Sequence, residues 1–171
     1  MSPSQTLVLL AGLAGCAPAL QAGFEADLSD QGGCGDIYAY GATPDDDVLL
    51  LVHVLGEPVL AAYEAGETSF SLVLSAADGE AVEVEARTGN NVGQIACNDF
   101  VENYALETTW VAVGGTVGVE ASLTADTWET WSVPADVVVT VTDLVLEDQE
   151  RGDQVTVDSF EIAASVGWLP G

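Results

Sequence analysis

Beyond residue 34 the chain alternates apolar and polar positions with a period of two, the signature of strands that turn one face to a core. Phe70, Leu72 and Leu74 alternate with Ser69, Ser71 and Ser75, and Val82, Val84 and Ala86 alternate with Glu83, Glu85 and Arg87. The Asp78-Gly79 pair between these runs is a turn signal, so the two are expected to pair as a hairpin with one wet face. Residues 48–55 are apolar at odd and even positions alike, which places that strand in the middle of a packed sheet. A short strand over 35–42 precedes it and is stopped by Thr43-Pro44 and three aspartates. Residues 59–65 follow Pro58 and end before Gly66; a short helix with Pro at its first position and a strand both fit, and both stay open. Gly89-Asn90-Asn91 starts an irregular section around Cys97, where Asp99 and Glu102 have capping-box spacing for one helical turn. Strand character resumes at 108 and runs to 123, broken at Gly114-Gly115.

The last quarter predicts shape. Val137, Val139 and Val141 occupy odd positions, but Leu144 and Leu146 even ones; Val155 and Val157 are odd, then Phe160, Ile162, Ala164, Val166 and Trp168 are even. Each run changes parity once, at similar distances from a turn over 149–153, so the two switches should face each other across a hairpin. Paired bulges of that kind bend a sheet around a corner. The expected fold is therefore all-β: a two-sheet antiparallel β-sandwich, Ig-like or jelly-roll, of about seven to nine strands spanning 34–171.

Ahead of this domain, residues 7–13 form an apolar run of h-region length, well short of the roughly 20 residues that span a bilayer. The run closes on Leu13-Ala14-Gly15-Cys16, which resembles the lipobox of bacterial lipoproteins. The resemblance covers residues 1–16 only. It implies that 1–15 are a signal peptide, that the Cys16 sulfur carries a diacylglyceryl group, and that a membrane is reached through this N-terminal lipid. Ala17 stands where Asp would signal inner-membrane retention in the enterobacterial sorting rule, which implies the outer membrane or cell surface. Residues 16–33, rich in Ala, Gly and acids, are expected to be a flexible tether reaching about 20–25 Å. With Cys16 lipidated, Cys34 and Cys97 remain as a pair, and an oxidising compartment implies a disulfide between them. Two thiols and the distant His53 supply too few soft ligands for zinc.

Charge narrows the partners. There are 28 Asp and Glu against two basic residues, Arg87 and Arg151, for a net charge of −26. Such a surface repels nucleic acid and anionic headgroups. Hydrophobic residues make up 49% of the chain, too many for a disordered one, and no second domain is visible. No cofactor is implied. Calcium, a hard cation that takes oxygen ligands, has two candidate clusters: Asp45, Asp46 and Asp47, and Glu147, Asp148, Glu150 and Asp153. The second is no EF-hand, because Arg151 occupies a ligand position and strands flank the loop. A solvated acidic loop is the plainer reading of each.

Catalytic chemistry is poorly represented. His53 is the only histidine and falls among Leu49, Leu51 and Leu55, as a structural or edge residue would. Without a second His, a Lys or a free thiol, Ser-His-Asp and Cys-His arrangements have almost no candidates. No nucleophile elbow, P-loop or dinucleotide fingerprint occurs. A carboxylate pair of glycosidase type is neither excluded nor selected among so many acids. Trp128 and Trp131, in a Thr-rich connection, suit either a plug at the end of the fold or a platform for sugar rings; Trp110 and Trp168 continue strand patterns and read as core. The sequence favours a non-enzymatic, lipid-anchored envelope protein with a structural or interaction role, its partner another envelope protein. The alternative is a carbohydrate-binding or polysaccharide-acting protein that uses Trp128 and Trp131.

Overall fold

The computed structural model describes residues 20–98, 102–124 and 133–167. The alternation becomes eight strands: β1 (Asp30–Cys34), β2 (Tyr38–Ala42), β3 (Val48–Val54), β4 (Ser69–Ser75), β5 (Val82–Asn90), β6 (Ala105–Leu123), β7 (Ala135–Asp148) and β8 (Gln154–Val166). All pair antiparallel in one sheet of order β1-β2-β3-β5-β6-β7-β8, with β4 joined to β6 off that path. The strands expected in two sheets are thus hydrogen-bonded into one strongly curled sheet.

Its end strands meet. The Gln31 side chain donates to the Glu161 carbonyl (3.1 Å) and accepts from the Ala163 N–H (3.3 Å), standing in for a peptide unit along β8. The Gly167 N–H donates to the Gly35 carbonyl at 2.6 Å. A Cβ on Gly33 would lie 2.9 Å from the Ala164 Cβ, so glycine is what lets β1 come this close. The core fills the inside of the curl, with Leu50, Val52, Trp110, Val139, Leu144 and Ile162 nearly or wholly buried.

The parity switches mark the bend. Burial along β7 moves from odd to even positions at Asp143, which adopts φ 51°, and β8 switches at Asp158-Ser159. Thr142 pairs with Ser159 and Leu144 with Val157, so the two switches do face each other. The register is the same on both sides of them. The strands therefore kink together there, instead of each gaining a bulge residue. The slip lies one strand over, where β6 shifts register around Gly114 and Gly115. Gly115 has φ 114°, and a Cβ there would lie 2.7 Å from the Leu144 Cα, so the expected break in β6 is a bulge within one long strand.

β3 is buried on both faces for two separate reasons. One face looks into the core. On the other, Leu49 and Leu51 are roofed by Val92 and Ala96, from a section containing a 3-10 turn at Val92–Ile95. A Cys34–Cys97 disulfide, Cα–Cα 5.8 Å, fastens that roof to the end of β1.

Residues 58–64 settle as a helix, α1 (Pro58–Glu64). Gly66 at φ 75° donates to the Tyr63 carbonyl and Glu67 to that of Ala62, each at 2.9 Å, which is a Schellman stop.

Other expectations need correction. β4 and β5 do not form a hairpin. β4 lies beside residues 116–122 of β6 and β5 beside 105–111, end to end along one edge. The Asp78 turn exists, with Asp78 N–H on the Ser75 carbonyl and Ala81 N–H on that of Asp78, but it makes a jog and not a reversal. The tether is folded from Leu20 onward: Leu20, Phe24 and Leu28 are buried around a 3-10 turn at Phe24–Asp27, and β1 follows. β2 starts at Tyr38, after a turn through Gly35, and β6 starts at Ala105. Asp99 lies outside the described residues, and Glu102 is in no helix.

Candidate functional site

Both acidic loops are held by bonds within the protein. In the β2–β3 turn the Thr43 side-chain oxygen accepts from the Val48 N–H (3.1 Å), and Asp46 N–H donates to the Thr43 carbonyl (2.9 Å). A hydrogen bond from Thr43 is the main reason that the exposed Asp45 carboxyl sits below the usual 3.8. Asp46 reaches sideways: its Oδ2 accepts from Gln94 Nε2 (3.2 Å) and its carbonyl from Gly93 N–H (3.1 Å). A Cβ at Gly93 would collide with Asp46 Oδ1, so the carboxylate occupies the space that glycine leaves. Asp47 accepts from Gly89 N–H through its carbonyl (3.0 Å). This loop clamps the roof over β3.

The β7–β8 turn is built on Asp148, which is buried. Its Oδ1 accepts from the N–H of Glu150 (2.8 Å) and of Arg151 (3.1 Å), and its Oδ2 from Arg151 Nε (2.6 Å). Burial works against its charge, but those N–H groups and the guanidinium outweigh it and hold the carboxyl below 3.8. Arg151 also lies 3.6 Å from Asp153, and Glu147 accepts from Gln154 Nε2 (2.8 Å). The loop thus carries its own cation. Among the described residues no group of three or more His, Cys, Asp or Glu is arranged to hold a metal ion.

A pH dependence follows. Because the folded Asp148 carboxyl titrates below its unfolded value, its contribution to stability is complete above about 3.8 and is lost as pH falls through the folded value. Asp148→Asn should lower the urea midpoint at pH 7 and reduce the further drop between about pH 4 and 3. An unchanged slope in that window would contradict this role.

His53 stands on the outer face of β3 in a row with Tyr38 of β2 and Glu83 of β5. Its Nδ1 lies 3.4 Å from Glu83 Oε2, and its ring centroid is 5.5 Å from that of Tyr38. Two same-face positions along β5, Arg87 turns back and donates from both Nε (3.0 Å) and a terminal nitrogen (2.8 Å) to Glu85 Oε2. Both basic side chains of the protein are therefore neutralised locally. What remains for solvent or a partner is almost wholly negative.

A concavity lies between the 3-10 turn at Phe24–Asp27 and the β2–β3 turn. It is an open pocket of about 490 Å³ lined by Ala26, Asp27, Ser29, Thr43, Pro44 and Asp45. Sequence reasoning missed it because one wall belongs to the stretch expected as tether. A second concavity of about 260 Å³ lies under the jog between β4 and β5. Cys16, Trp128, Trp131 and Trp168 lie outside the described residues. Comparison with protein-family models, curated proteins and solved structures finds no match for the chain.

Proposed function

We propose that the protein is an exported lipoprotein whose acidic β domain serves as a structural or interaction module at the outer membrane or cell surface, without catalysis of its own. The observation that carries this reading is the Cys34–Cys97 bond. That bond is compatible with an oxidising, exported compartment, and it accounts for every cysteine except the one that closes Leu13-Ala14-Gly15-Cys16. Among the described residues no helix is long and apolar enough to cross a membrane; the attachment proposed is the lipid on Cys16. The chain is folded from Leu20, only four residues after Cys16, which sets the domain within about 14 Å of the lipidated sulfur's backbone. The domain then works close against the bilayer, where its charge keeps it off anionic headgroups and free to meet another envelope component.

Fractionation tests the proposal. Wild-type protein should partition with membranes and into detergent, and Cys16→Ser should move it to the soluble fraction with the Cys34–Cys97 bond intact. A Cys16→Ser protein that stays with the membrane would contradict the lipid anchor.

A further inference from the structure

The two ends of the sheet cover each other, but a third edge is bare. β4 bonds to β6 on one side, and among the described residues no strand pairs with its other side. The bonds that extend this ladder, from Leu123 N–H to the Thr68 carbonyl (2.9 Å) and from Ala76 N–H to the Gly115 carbonyl (3.0 Å), fix its phase. Even-numbered residues turn their backbone groups toward β6, so Ser69, Ser71, Val73 and Ser75 turn theirs outward. Edge strands are ordinarily blunted by charge, proline or a bulge. This one has none of these: residues 68–77 include no charged side chain in a protein of net charge −26, and Val73 is 78% exposed.

We propose that β4 is a self-association edge, where a second copy of this chain adds its own β4 antiparallel about a two-fold axis at Leu72. The backbone phase requires outward-facing odd residues to oppose odd residues. Setting Ser69 against Ser75 and Ser71 against Val73 meets that requirement and uses every outward N–H and carbonyl of both strands. Side chains match in the same register: Leu72 meets its own copy and Phe70 meets Leu74 on the side toward the core, while Ser71 meets Val73 outside.

Charge selects the occupant. Two such molecules repel over most of their surfaces, yet in this register Glu67 falls opposite Ala77 and Asp78 opposite Gly66, so no carboxylate faces another along the paired stretch. A basic peptide would find no carboxylate on this strand to pair with and would be drawn to other faces. The contact is small and belongs to the weak class below roughly 1,200 Å².

The test is cross-linking and sedimentation of the full chain in a mild detergent. Leu72→Cys should give a disulfide-linked dimer under a gentle oxidant, because the axis brings that residue against its own copy. Ser69→Cys should not, since Ser69 lies about 20 Å from its copy. Val73→Asp, at an exposed position that leaves the core untouched, should weaken the wild-type dimer at least tenfold with an unchanged far-ultraviolet spectrum. The proposal is overturned if wild type stays monomeric at submillimolar concentration and 0.5 M salt. It is equally overturned if Ser69→Cys cross-links as readily as Leu72→Cys, or if Val73→Asp leaves the dimer intact.

Discussion

Replacing Cys34 and Cys97 with serine should lower stability by about 4 kcal/mol, the chain-entropy value for a bridge across 63 residues. For a domain of this size that corresponds to roughly 10–15 °C in the unfolding midpoint. The bond does more than shorten the unfolded chain. It fastens the 92–98 section over Leu49 and Leu51, so without it the outer face of β3 becomes an apolar patch exposed to water. The double variant should therefore bind a hydrophobic dye before it unfolds. Melts of oxidised wild type and the variant check both effects, and midpoints that agree within about 2 °C would mean that the roof holds without its fastening.

The second large effect is expected at Trp110, which sits in β6 between Ala86 of β5 and Asp148 of β7 and is only 1% exposed. Trp110→Ala should cost about 3–5 kcal/mol through lost contacts and the cavity left behind. Trp110→Phe should cost much less than its lost volume suggests. The indole Nε1 is buried and has no hydrogen-bond partner among the described residues, and removing an unsatisfied donor recovers about 1–3 kcal/mol. Urea denaturation of the two variants separates these contributions. A Trp110→Phe loss as large as its lost volume predicts would show that the indole nitrogen is satisfied in solution.

Features set by alternation along one strand were legible in the sequence. The parity switches at Asp143 and Asp158-Ser159 located the corner, because an outward residue becomes an inward one only where the backbone bends. The double-sided apolar run of β3 announced its central place, though not that a disulfide-fastened roof covers one side. Partner choice was not legible. Asp78-Gly79 reports that the chain turns; it does not report that β6, at 19 residues, is long enough to take β4 and β5 in succession. Leu20, Phe24 and Leu28 were hidden by their neighbours' composition, although their four-residue spacing was a signal that something buries one face. The acidic loops show the same limit: carboxylates can be counted along the chain, but Gln94 is 48 residues from the Asp46 it binds. That distance is closed only by the fold.

The central claim is that residues 1–16 are an address and an anchor and that the acidic domain follows from them. The most direct measurement is the mass of the N-terminal peptide of protein isolated from its native envelope. A peptide that begins at Cys16 and carries acyl groups is the result expected; a peptide that retains Met1, or one that begins elsewhere with an unmodified Cys16, would contradict it.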